Sequence, residues 1–150
     1  MMLSPNFSLS ELIKSDYAER NNIDNTPSPE IINNLTNLCV NILQPIRNTF
    51  GAVRVLSGYR NQALNKAVGG SKTSDHMKGT AADIECRHIS NYNLACWIRD
   101  NMEFGQLILE FYTPGDPLSG WVHVSTGTNK QLLTAYRENG KTIYRVGLHQ

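Results

Sequence analysis

The sequence predicts an α+β domain in which N-terminal helices pack on a small, mainly antiparallel sheet. Three observations support this. The first third of the 150-residue chain carries helix-start signals and apolar residues at helical spacing. Short runs rich in β-branched and aromatic residues cluster towards the end. Hydrophobic residues make up 40% and charged residues 18%, enough apolar surface for a core without disulfide staples. One domain is expected over 1–150, with a helical part over about 1–51 and a motif-bearing part over about 52–150.

Phe7-Ser8-Leu9-Ser10-Glu11 reads as a helix start. Ser8 is the N-cap, Glu11 completes a capping box and Phe7 packs as the hydrophobic staple. Residues 21–29 (NNIDNTPSP) are turn chemistry. A longer helix follows Ser28, with Pro29 at its first position. Its residues Ile31, Leu35, Leu38, Ile42, Leu43 and Ile46 recur mostly at steps of three and four, and Gly51 suits a left-handed cap after Phe50.

Residues 53–57 form a short strand leading into Gly58-Tyr59-Arg60, residues 62–68 a helical turn, and residues 69–74 a loop. A strand is expected over 80–86 and an amphipathic helix over 89–102. Four β-rich runs close the chain, at 106–111, 121–126, 132–137 and 142–146. Asn139-Gly140 turns the last two into a hairpin, whereas residues 112–120 are too many for a tight one. The loops 69–73 and 112–120 are expected to be mobile.

Lys+Arg 14 against Asp+Glu 13 gives a formal charge of +1, without the basic surplus of a dedicated nucleic-acid binder. Cys39, Cys86 and Cys96 have no C-x-x-C spacing. They supply neither a disulfide framework nor a thiolate zinc site, and read as small apolar residues of a reducing compartment. No basic segment followed by an apolar run opens the sequence, and no apolar stretch approaches the ~20 residues of a membrane helix. Synthesis in the cytoplasm without a signal peptide, and no membrane segment, are the expectations.

The informative segment runs from Ser74 to Asp83 (SDHMKGTAAD). His76 falls in a loop and Asp83 in the strand that follows, and Gly79 lets the chain turn sharply between them. Ala81 and Ala82 leave room beside the carboxylate. One imidazole and one carboxylate are two-thirds of a catalytic zinc site. A third donor is expected from a neighbouring strand, and Trp121-Val122-His123-Val124-Ser125 supplies His123. Alternation puts Trp121, His123 and Ser125 on one face and the two valines on the other. His88, in a polar turn, and His149, the penultimate residue, are weaker candidates.

Ser57-Gly58-Tyr59-Arg60, Asn65, Val68-Gly69-Gly70, Ser74-x-His76-x-x-Gly79-x-Ala81-x-Asp83 and Trp121-x-His123 follow one another in a fixed order. Together they resemble the D-Ala-D-Ala carboxypeptidase family of zinc peptidases, which includes phage endolysins and shares its fold with the hedgehog signalling domain. The resemblance implies a hedgehog-type or DD-peptidase-like fold. It also implies that His76, Asp83 and His123 bind one Zn²⁺, with the fourth position open to water. Two neutral imidazoles and one carboxylate would leave such a centre a net positive charge and keep the ion Lewis-acidic. Arg60 resembles the family arginine that meets a substrate carboxylate or carbonyl, a task suited to a guanidinium fork. Ser74 resembles a serine that hydrogen-bonds substrate, with capping of its loop as the alternative, and Trp121 is placed with it in substrate binding.

Many relatives carry an acidic residue three positions before the second histidine. Here that position is Gly120. Glu110, at the end of the run 106–110, is the best substitute as general base if that run pairs antiparallel with the Trp121 strand. Asp116 is the runner-up, and Gln106 is expected to line the cleft. The function expected is zinc-dependent hydrolysis of peptidoglycan stem or cross-link peptides by a carboxypeptidase or endopeptidase. The resemblance points to a phage or prophage lysin or a virion-associated enzyme acting at the bacterial wall with virion or lysis-system partners. The alternative is a non-catalytic zinc-containing binding or virion module on the same fold.

Overall fold

The computed structural model describes residues 1–150. A two-stranded antiparallel ribbon, β1 (Met2–Ser4) and β2 (Phe7–Ser8), leads into α1 (Leu9–Ile13). Ser8 caps α1 as expected. Its Oγ accepts the Glu11 amide hydrogen at 3.2 Å, the Glu11 carboxylate accepts the Ser8 amide hydrogen at 3.1 Å, and Phe7 is buried. The short helix α2 (Asp16–Arg20), capped by Ser15, carries too little periodicity to be read from sequence.

The long helix over 29–50 is present, in three segments. α3 (Pro29–Leu38) and α4 (Gln44–Phe50) are joined by a π-helical turn (Cys39–Leu43), in which the Gln44 amide donates to the Cys39 carbonyl. Pro45, just beyond it, has no N–H to offer and its ring crowds the preceding turn, which accounts for the local widening. Leu35, Leu38, Ile42, Leu43 and Ile46 are buried along this helix.

β3 (Val53–Ser57), β4 (Ala81–Cys86), β5 (Gln106–Glu110), β6 (Trp121–Ser125), β7 (Gln131–Glu138) and β8 (Lys141–Val146) form one sheet in the order β3-β4-β6-β5-β7-β8. The expected small sheet is thus corrected to a six-stranded one. It is mainly antiparallel as predicted, with one parallel pair, β5–β7. The reason is local: β4 and β5 occupy both edges of β6, so β7 crosses over and pairs with the free edge of β5. The short helix α5 (Gln62–Ala67), capped by Asn61, follows β3, and beside the N-terminal helices α6 (Asn91–Asn101), capped by Ser90, also packs on the sheet.

Strand alternation divides the sheet cleanly. Ala82, Ile84, Leu107, Leu109, Val122 and Val124 are fully buried and join the residues of the long helix and of α6 in a single core. Their sequence neighbours Asp83, Ile108 and His123 emerge on the opposite face, which no long helix covers. Cys39 and Cys86 are buried in the core, Cys96 is half-buried, and all three thiols are free. Burial pushes the Cys39 thiol up to about 12, so it stays protonated and unreactive. No helix is long and apolar enough to cross a membrane.

Candidate metal centre

His76 sits in a short 3-10 turn (Asp75–Lys78). Ser74 caps it by accepting the His76 amide hydrogen at 3.2 Å, and Gly79 ends it with φ 71°, a left-handed conformation that turns the chain back into β4. The ring is fixed by its Nδ1, 2.7 Å from the carbonyl oxygen of Gly58 in the segment that follows β3. A carbonyl only accepts, so Nδ1 carries the proton and Nε2 keeps its lone pair.

Asp83 lies in β4 directly opposite His123 in β6. Its Oδ1 is 3.3 Å from His76 Nε2 and 3.0 Å from His123 Nδ1. The three residues are 3%, 8% and 7% exposed, and their donor atoms all lie within 4.8 Å of one another. This set fits a divalent ion. A tetrahedral centre with arms of ~2.0–2.2 Å has edges of about 3.3–3.6 Å, close to the spacings seen. His123 is committed to nothing else: its Nδ1 faces Asp83 and its Nε2 is buried without a partner. Two nitrogens and one oxygen suit zinc with a vertex left open.

The electrostatics follow from burial and proximity. Burial alone would raise the Asp83 carboxyl. Hydrogen bonds from His123 and His76, with their charges, outweigh it and hold the group well below the usual carboxylate range. Burial works to lower His123, and the Asp83 hydrogen bond and charge overcome it and raise the ring.

These residues open onto a cleft of about 650 Å³ whose lining includes Arg60, Ser74, Gln106, Glu110 and Trp121. Glu110 and Trp121 are direct partners across β5 and β6, which pair antiparallel as the candidacy of Glu110 requires. The indole N–H of Trp121 donates to a Glu110 carboxylate oxygen. Burial first, then the Asp83 charge, raises the Glu110 carboxyl against the lowering effect of His123 and Trp121. The Arg60 backbone amide donates to the His76 carbonyl at 3.1 Å, and its guanidinium Nε is buried without a partner. Burial lowers the Arg60 guanidinium somewhat, opposed by Asp83 and Glu110.

Asp116, the other candidate base, is not among the residues lining the cleft, and neither are His88 and His149; the His149 ring is held instead at the Val146 carbonyl. The 112–120 loop is tied down rather than loose. Asn91 at the start of α6 donates to the carbonyls of Ser119 and Gly120, and the Thr113 amide donates to Ser119 Oγ. Gly120 shows why no acidic residue stands there. Its φ is 60°, and a Cβ at this position would collide with the Glu110 carbonyl and come within 2.7 Å of that of Phe111. Sequence reasoning missed further lining residues, among them Phe111, Leu133, Arg137, Thr142 and Tyr144. Four lie on β7 and β8, where alternation defines a face but not its register.

A buried His-Asp-His set that could hold a metal ion thus opens onto a cleft lined by a carboxylate and an arginine. The chain belongs to the peptidase M15 family, whose sequence model matches residues 5–125. It is thereby a member of a metallopeptidase family whose enzymes depend on zinc. No curated protein matches the sequence.

Proposed function

We propose that this protein is a zinc peptidase that hydrolyses the short stem or cross-link peptides of peptidoglycan. The observation that carries the reading is the convergence of His76, Asp83 and His123 at the floor of a cleft that also holds Glu110 and Arg60. A bound zinc ion would supply Lewis acidity to a substrate carbonyl and lower the pKa of a water. The protein's own groups do the rest. Glu110, oriented by Trp121, takes a proton from the attacking water and hands it to the departing amine. Arg60 binds a substrate carboxylate or carbonyl with a guanidinium that never loses its charge. Gly58 fixes the His76 tautomer through its carbonyl, and Ser74, besides capping the turn, lies where it can meet substrate.

The resemblance to phage endolysins supports action at the bacterial wall as a phage or prophage lysin or a virion-associated enzyme. Digestion of purified muropeptides followed by mass spectrometry tests the reading and identifies the bond cut. Fragments that appear only with zinc present are expected. Zinc bound stoichiometrically with no fragment formed would favour a binding module instead.

A further inference from the structure

We infer that Arg137 is a second anion-recognition group of the cleft, working with Arg60 to select short peptides that carry two carboxylates. This rests on the peptidase reading and adds the substrate class. Arg137 lies in β7, beyond residue 125 where the family match ends, yet it lines the same cleft as the metal set. The register explains how. Glu110 pairs with Ala135, and Arg137 is two residues further along the same face of β7.

The side chain is held in place. Its guanidinium carbon stands 4.7 Å from the centroid of the Phe111 ring, and that ring meets Trp121 edge-on at 5.4 Å. Phe111 has φ 58°, a left-handed backbone that a bulky residue rarely adopts. Its amide donates to the Ala135 carbonyl at 2.9 Å, which ties this conformation to β7. The strain carries the ring beneath Arg137 at the cleft wall.

Neither arginine has a carboxylate partner. The ion pairs of the chain are Arg54–Glu85, Lys78–Asp75, Arg99–Asp100 and the two His–Asp contacts of the metal set. Asp83 and Glu110 act on Arg60 at a distance, and with no direct ion pair both guanidinium groups keep donors free for anions of the ligand. Arg60 follows β3 on the β4 side of the metal set, whereas β7 is three strands away from β4. Both line the one cleft, so a ligand seated over the metal set can meet one guanidinium on either side.

The test uses L-Ala-γ-D-Glu-L-Lys-D-Ala-D-Ala, which has two carboxylates, and its two mono-amidated forms. Cleavage is followed with zinc-loaded protein, and calorimetric binding of the same three peptides to zinc-loaded Glu110→Gln runs beside it. The wild type should favour the free diacid over both amides. Arg137→Gln should raise KM for the diacid roughly five- to tenfold and erase the penalty for one amidation only, with Arg60→Gln erasing the other. Arg137 is exposed, so its variant should keep the wild-type melting profile. Discrimination against both amides that survives Arg137→Gln overturns the inference, as does a wild type indifferent to all three. If no peptide is cleaved the peptidase reading fails, and adding Arg137→Gln to the binding protein still decides whether Arg137 reads a carboxylate.

Discussion

Glu110 and Trp121 stand opposite one another on β5 and β6, and the indole N–H of Trp121 donates to the Glu110 carboxylate. This cross-strand pair brings an acidic group to the metal centre from a strand that precedes the second histidine by a whole loop. Trp121 also orients that group, because the indole has one donor and the carboxylate accepts it.

Replacing Glu110 with Gln should lower kcat about 10²- to 10⁴-fold, the usual range for a lost acid–base group. Zinc content should stay at one ion per chain, since Glu110 is not among the three donors. Steady-state cleavage and metal analysis of the same preparation check both halves. Loss of the metal together with activity would show that Glu110 is needed to hold the site.

The pH profile follows from the raised Glu110 carboxyl. Only the ionised form accepts a proton, and burial with the Asp83 charge moves its ionisation above the ordinary glutamate value. In the metal-free protein Glu110 should therefore take up its proton at a higher pH than an exposed glutamate. Because a bound zinc ion favours the ionised form, the acid limb of activity is compared with that of the wild type. Trp121→Phe removes a hydrogen bond that favours the ionised form, so it should move this limb to higher pH than in the wild type. A limb that shifts down in Trp121→Phe would contradict the assignment.

Gly120→Glu would restore the acidic residue found in many relatives. Here it should destabilise the fold by about 2–4 kcal/mol, because a side chain at φ 60° meets the Glu110 and Phe111 carbonyls. Denaturant unfolding measures this. A variant as stable as wild type, or one that rescues Glu110→Gln, would refute the steric account.

Much of the site was legible because its parts are local or strictly alternating. His76, Gly79 and Asp83 lie within one turn and one strand, and His123 shares a face with Trp121 whatever the neighbouring strand is. The Ser8 cap and the long helix over 29–50 were equally plain. Sheet size and the parallel β5–β7 pair were not, because periodicity marks a strand without saying which edge it takes. By its sequence Phe111 belongs to the strand before it, since nothing in a bulky aromatic announces left-handed backbone. Arg137 and Tyr144 are not legible as cleft residues, because only the β5–β7–β8 register brings them over the cleft.

Zinc titration of metal-free protein by calorimetry tests the central claim most directly. The wild type should take up one ion per chain, and saturation at a hundredfold excess over Kd should stabilise the fold by about 2.7 kcal/mol. His76→Ala, Asp83→Ala and His123→Ala should each remove most of that uptake. A wild type that binds no zinc, or a triple variant that binds it as the wild type does, would contradict the account.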